Sequence, residues 1–199
     1  MADKYRSFPE LAAAETQGGY EVRTRYSGAT LILAPHGGGI EPGTSELAEA
    51  IAGDDHSLYL FEGMKERNNR DLHITSTNFD ERECMTALHR SDRVVAIHGE
   101  DSETDIVFIG GRDAELKART ATELRAAGFN VQGVDRPHLA GEAPGNICNR
   151  GRSGAGVQLE IAAGLRASFF RHLSPRSERE HETEAFRRFV DAVRAGIAT

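Results

Sequence analysis

The stretch Leu31-Ile32-Leu33-Ala34-Pro35-His36-Gly37-Gly38-Gly39-Ile40-Glu41 decides how the rest of the chain is read. Residues 29–34 form an apolar run, as a strand buried on both faces requires. The run stops at a proline and a histidine, and three glycines follow. In open α/β sheets, ligands bind at the carboxyl ends of the strands, where loops of this kind begin. A second histidine repeats the arrangement: His98 follows Val94-Val95-Ala96-Ile97 and precedes Gly99. Glycine lets backbone turn sharply and approach a ligand closely.

Working outward, strands and helices alternate. A short helix is expected over 11–15, entered through Ser7 and Pro9, and a strand over 20–26. A helix over 45–52 reads as capped by Thr44 and stopped by Gly53. Strands are expected over 57–61, 93–97, 105–109, 130–134 and 156–161, and helices over 81–89 and 114–127. The last element, 178–197, places Phe186, Phe189, Val190, Val193 and Ile197 on one helical face. This alternation predicts an α/β fold whose sheet is mainly parallel or mixed, flanked by helices.

The chain has 199 residues and is 39% hydrophobic, enough for one domain spanning 1–199 with a substantial core. It shows no repeat, no low-complexity linker and no run long enough to cross a bilayer. Residues 1–10 lack a secretory h-region, and Cys84 and Cys148 suit neither a metal motif nor a disulfide framework. A cytoplasmic protein with free thiols is the expectation. The net charge of −7 argues against a general nucleic-acid binder but leaves room for a local basic pocket that takes an anion. The oligomeric state is not legible.

Glu41 lies five residues after His36, across the glycines. Two imidazoles and one carboxylate are a common catalytic zinc set that leaves a fourth position for water. His36, Glu41 and His98 are therefore the candidate ligands of one Zn2+ ion, with manganese or iron as alternatives by ligand type. His56, His89, His138, His172 and His181 have no such setting. Glu160 is the one charge in Gly156-Val157-Gln158-Leu159-Glu160-Ile161. A carboxylate in a buried strand is costly unless paired or functional, and a metal hydrolase needs a base to take a proton from its water. Glu160 is the candidate base.

The same residues carry a family resemblance. His36-Gly37-Gly38-Gly39-Ile40-Glu41-Pro42-Gly43-Thr44 resembles the signature of the zinc-dependent poly-γ-glutamate hydrolases of phage and bacilli. So do Leu72-His73-Ile74-Thr75-Ser76 with Asn78-Phe79-Asp80, and Ala96-Ile97-His98-Gly99. Ile109-Gly110-Gly111-Arg112-Asp113 and Asn146-Ile147-Cys148-Asn149-Arg150 agree too. The resemblance runs from about Tyr5 to Arg166. It implies a fold akin to zinc carboxypeptidases, zinc on His36, Glu41 and His98, a catalytic Glu160, and hydrolysis of γ-glutamyl amides inside the polymer. It departs from carboxypeptidases in a wider His-to-Glu spacing and in Asn149-Arg150 lying after the third ligand, so the carboxypeptidase substrate clamp is not carried over.

A polyglutamate chain has a carboxylate on every residue, and arginine forks bind carboxylates in two-pronged fashion. Arg112, Arg150, Arg152 and Arg166 are the candidates for substrate binding, with His73 as a hydrogen-bond donor or ligand orienter. Three other readings stand beside this one. A zinc amidase or deacylase could act on another N-acyl or γ-glutamyl substrate. A non-catalytic module could bind the polymer. An esterase could use His-Gly-Gly-Gly as an oxyanion loop, but its Gly-x-Ser-x-Gly elbow is missing.

Overall fold

The computed structural model describes residues 3–15, 18–134 and 139–198. Its strands are β1 (Tyr20–Arg25), β2 (Thr30–Gly38), β3 (Ser57–Gly63), β4 (Arg93–Glu100), β5 (Ile106–Gly110), β6 (Asn130–Gly133) and β7 (Val157–Ala162). They form one mixed sheet in the order β1-β3-β2-β4-β7-β5-β6. Strands β3, β2, β4 and β7 run parallel, while β1 and β5 are antiparallel to the neighbours that join them to this centre.

β2 is buried along its whole length, and its alternation serves two cores. Ile32 and Ala34 join one cluster, which includes Leu47 and Ile51 of α2 (Thr44–Ala52), Leu116 and Leu124 of α4 (Ala114–Ala126), and Phe186 and Phe189 of α6 (Glu184–Ala198). Leu31 and Leu33 join the other, with Leu11 of α1 (Phe8–Ala14) and Leu88 of α3 (Arg82–Arg90). A strand covered by helices on both faces has no polar side, which is why its sequence is an unbroken apolar run. No helix among the described residues is long and apolar enough to cross a membrane. Cys84 and Cys148 are free and buried.

Two local expectations are corrected, and one helix is added. Thr44 does not cap α2 as an acceptor. Gly43 occupies the cap position, and the Thr44 hydroxyl donates to the Glu41 carbonyl at 2.8 Å, tying the helix to the glycine loop. The final helix begins at Glu184 rather than 178. Residues Arg176–Glu180 form a 3-10 turn that buries Arg179 against Glu46 and the Gly38 carbonyl. Thr183 then accepts from the Phe186 N–H at 3.3 Å, a cap bond that starts α6 afresh. A short helix, α5 (Ala163–Ser168), follows β7 directly and is too brief to show a periodicity.

The strands also outrun the apolar segments that announce them. β2 continues through His36 to Gly38 after a register shift against β3 between Ala34 and Gly37. Pro35 lies inside that shift and has no N–H to give the ladder. β4 continues through His98 to Glu100, and His98 pairs in register with Glu160 of β7. The carboxyl ends of three adjacent parallel strands are thereby brought together. Leu33→Ala, at the fully buried middle of β2, is expected to destabilise by about 2–5 kcal/mol in a denaturant melt. A loss within a few tenths of a kcal/mol would contradict this packing.

Candidate active site

His36, Glu41 and His98 meet with one ligand atom each, all within 4.8 Å of one another. His36 and His98 come from the ends of β2 and β4, and Glu41 from the loop after β2. That loop closes through the Glu41 N–H, which donates to the His36 carbonyl at 2.9 Å. Nε2 of His36 lies 2.8 Å from the Ile74 carbonyl oxygen. A carbonyl can only accept, so Nε2 carries the hydrogen and Nδ1 is turned to the site. Nδ1 of His98 faces the same point, while its Nε2 lies 3.5 Å from the Ser76 hydroxyl. Outer partners of this kind fix ring orientation and tautomer in metal ligands. Glu41 accepts from the Gly99 N–H through Oε2 at 2.7 Å.

Burial alone would raise the Glu41 carboxyl, but the charge and hydrogen bond of His36, with His98 and the Gly99 N–H, bring it down to about 2. Burial and the charge of His36 lower His98 to about 3. Burial also acts against charge on His36, yet Glu41 outweighs it and raises this imidazole. Glu41 is thus held anionic and His98 neutral, the states in which each binds a metal. The proton favoured on His36 lies where a cation would replace it.

The donor spacings fit that exchange. His36 Nδ1 is 3.1 Å from Glu41 Oε1 and 3.2 Å from His98 Nδ1, and His98 Nδ1 is 3.9 Å from Glu41 Oε2. Bonds of ~2.0–2.1 Å in a tetrahedron give ligand-to-ligand edges of about 3.3 Å, so both edges at His36 Nδ1 suit a zinc site, and the other carboxylate oxygen stands somewhat wide of His98.

Glu160 lies across the β4–β7 pairing from His98 and lines the same cavity of about 680 Å³. Its Oε1 accepts from Gln158 Nε2 at 2.7 Å, and Gln158 in turn accepts from Asn146 at 3.0 Å. Burial first, then the charge of Glu41, pushes the Glu160 carboxyl well above its ordinary range, with Gln158 opposing. His73 stacks on His36 with ring centroids 4.0 Å apart. Its Nδ1 lies 2.7 Å from Asp3 Oδ1, and its Nε2 lies 3.9 Å from Glu41 Oε1.

A model of the family described as poly-gamma-glutamate hydrolase matches residues 5–192. The chain belongs to that family. It is 38% identical to the UPF0714 protein YndL of Bacillus subtilis (strain 168), over 96% of this chain and 76% of that one. It is 42% identical to the SPbeta prophage-derived UPF0714 protein YoqZ of the same organism, over 85% of this chain and 62% of that one. The structure of a bacteriophage poly-gamma-glutamate hydrolase superimposes with a TM-score of 0.95 at 32% identity, covering 99% of this chain and 97% of the phage chain. A zinc-free apo structure of YndL gives 0.92 at 35% identity, covering 98% of each chain.

Within this family fold, the four arginines singled out by sequence are not brought to the cavity. Arg112 is exposed, and its backbone N–H donates to Asn149 at 3.3 Å. Arg150 donates to the Phe79 carbonyl at 3.2 Å. Arg152 is exposed and paired with Asp92. Arg166 is 3% exposed and spends its guanidinium on backbone: Nε to Ile161 O at 3.0 Å, Nη1 to Pro42 O at 2.9 Å and Nη2 to Glu100 O at 3.0 Å. Those carbonyls directly follow Glu160 and Glu41 and lie two residues past His98. Arg166 therefore ties together the three segments that carry the site. A Cβ on Gly99 would lie 2.4 Å from Arg166 Nη1, so a side chain there would have to displace the guanidinium from its three carbonyls. Of the remaining histidines, His56, His89, His172 and His181 lie away from this cavity. His138 falls outside the described residues.

Asp3, Arg70, Ser76, Gln158 and Asp101 also line the cavity and went unnoticed in the sequence. Gln158 had a signal, two residues from Glu160 and so on the same strand face, and Ser76 ends the stretch Leu72-His73-Ile74-Thr75-Ser76 that carries the resemblance. The others reach the site through loops whose approach leaves no periodic trace.

Arg166→Lys has three donors on one atom in place of a fork and is expected to cost about 2–5 kcal/mol of stability, because carbonyls are left unsatisfied. A chemical melt within 0.5 kcal/mol of wild type, at roughly the noise of a surface change, would show that the three segments hold together without it.

A pH dependence follows from Glu160. The folded, metal-free protein keeps a proton there that the unfolded chain releases near its ordinary carboxylate pKa of ~4.3. Stability therefore falls as pH rises from that value towards the raised folded one. With chelator present, Glu160→Gln is expected to flatten the loss of melting temperature between about pH 5 and 8. Parallel curves for variant and wild type would refute it.

Proposed function

We propose that the protein is a zinc-dependent hydrolase of poly-γ-glutamate, with zinc on His36, Glu41 and His98 and with Glu160 as the general base. The observation that carries this reading is the convergence of an anionic carboxylate and two imidazole Nδ1 atoms beside a buried, proton-retaining carboxylate in one cavity. Family membership supports the substrate. The zinc-free form distinguished for the relative YndL supports the metal.

Bound there, zinc would lower the pKa of a water molecule and polarise the scissile carbonyl. Glu160 takes the proton of the attacking water as its oxygen bonds to the carbonyl carbon. It then delivers that proton to the leaving nitrogen as the C–N bond breaks. Its raised basicity suits both transfers. Gln158, itself held by Asn146, keeps Oε1 of Glu160 pointed along the strand face. The Ile74 carbonyl keeps the His36 imidazole turned to the ligand point.

The test is cleavage of poly-γ-glutamate by purified protein, followed by size-exclusion chromatography with chelator and with zinc restored. Shortening that chelator stops and zinc restores is expected. Glu160→Gln is expected to keep its zinc and lose about 10²–10⁴-fold in turnover, whereas His36→Ala and His98→Ala lose zinc. An intact polymer after incubation with zinc-loaded protein would redirect the search to other N-acyl and γ-glutamyl amides. Zinc-loaded protein that binds the polymer at full zinc occupancy without cutting it would mark a binding module.

A further inference from the structure

The cavity is ill-suited by charge to the substrate assigned to it. Asp3, Glu41, Glu100, Asp101 and Glu142 line it beside the proton-holding Glu160. A polymer with a carboxylate on each residue is repelled by such a wall unless a cation receives it. Among the described residues, Arg70 is the one lysine or arginine that lines this cavity.

Arg70 holds Asp101 in a two-pronged pair, Nη1 to Oδ1 at 2.7 Å and Nη2 to Oδ2 at 2.7 Å. Both side chains are open to solvent, 55% and 64% exposed, in contrast to the buried, fully committed Arg166. An ion pair this exposed is held weakly. A second carboxylate of the same geometry can displace Asp101 from the fork with little change in the hydrogen bonds made.

The turn that carries the fork is braced beside the candidate ligand set. Arg70 stands on the 3-10 turn Asn69–Leu72. Asn69 braces that turn, accepting from the Lys65 N–H at 2.9 Å and donating to the Lys65 carbonyl at 2.6 Å. A Cβ on Gly39 would lie 2.4 Å from Asn69 Nδ2, so the turn lies directly against the glycine loop between His36 and Glu41. His73 leaves the turn with its N–H donating to the Arg70 carbonyl at 3.1 Å. The backbone that carries Arg70 is thereby held against the loop that joins His36 to Glu41.

We infer that Arg70 is the specificity-determining residue that seats an α-carboxylate of the γ-linked chain, with Asp101 as the internal carboxylate it releases. This rests on the reading of poly-γ-glutamate as substrate. In a γ-linked chain every residue keeps a free α-carboxylate a few bonds from the amide to be cut, so one fork at a set offset from the reacting centre can place that amide.

The test compares zinc-loaded wild type with Arg70→Ala, Arg70→Lys and Asp101→Asn on poly-γ-glutamate at fixed ionic strength, after matching their zinc content and circular dichroism. Arg70→Ala is expected to raise KM on the order of 10- to 100-fold, the loss of a charge-assisted pair, with a smaller fall in kcat. Arg70→Lys, which keeps the charge and loses the fork, falls between. Asp101→Asn lowers KM a few-fold by removing the competitor. Methyl-esterified polymer is expected to be a poorer substrate than the free acid for wild type, with that preference largely gone in Arg70→Ala. Equal KM in wild type and Arg70→Ala, or an equal preference for free acid over ester, overturns the inference. Calorimetry of a γ-glutamyl trimer with the same proteins separates the two readings. Arg70-dependent binding without cleavage by wild type sustains this assignment and removes the hydrolysis. Binding that does not depend on Arg70 removes this assignment whatever the polymer assay shows.

Discussion

One buried guanidinium holds the geometry on which the site depends. Arg166 reaches from α5 to the carbonyls of Ile161, Pro42 and Glu100, each one or two residues beyond a member of the site. Three strand ends and loops must otherwise leave the sheet with unpaired backbone, which is costly away from water. A planar fork with several fixed donors satisfies them together, as a point charge on a flexible stem would not. Gly99 belongs to the same constraint, since the guanidinium occupies the space a side chain would need.

Around that hub, the site is built from opposed charge preferences. Glu41 is kept anionic by His36, His98 and the Gly99 N–H, while burial and the charge of His36 keep His98 neutral. Glu160 lies in the next strand with no cation bonded to it in any described contact, and burial makes it hold its proton. Two carboxylates in one cavity are thus driven in opposite directions, the pattern that the proposed ligand and acid–base roles require. A dication at the His36–Glu41–His98 point would relieve the repulsion between them and ease the ionisation of Glu160.

The glycine loop after β2 links chemistry to architecture. It is short enough to return Glu41 to within 3.1 Å of His36, and it packs against the turn that carries Arg70 and His73. Through Thr44 it also anchors α2, which buries Leu47 and Ile51 in the core. The helices that stabilise the sheet and the loop that presents the candidate ligands are therefore parts of one packing unit.

Much of this was legible in the sequence. The apolar runs at β2 and β4 marked central buried strands because a strand covered on both faces can carry no polar side. His36, His98 and Glu160 stood out because a polar residue at the end of such a run, or inside one, breaks a rule that packing otherwise enforces. Strand order, the extension of β2 and β4 through their histidines, and the start of α6 at Glu184 were decided by tertiary structure, since ladder pairing and cap bonds need partners distant in the chain. The same holds for the arginines. Their positions near motifs suggested contact with substrate, but a long side chain goes where unpaired carbonyls or carboxylates lie. Only the folded chain shows that Arg166 is turned inward to backbone and Arg70 outward into the cavity.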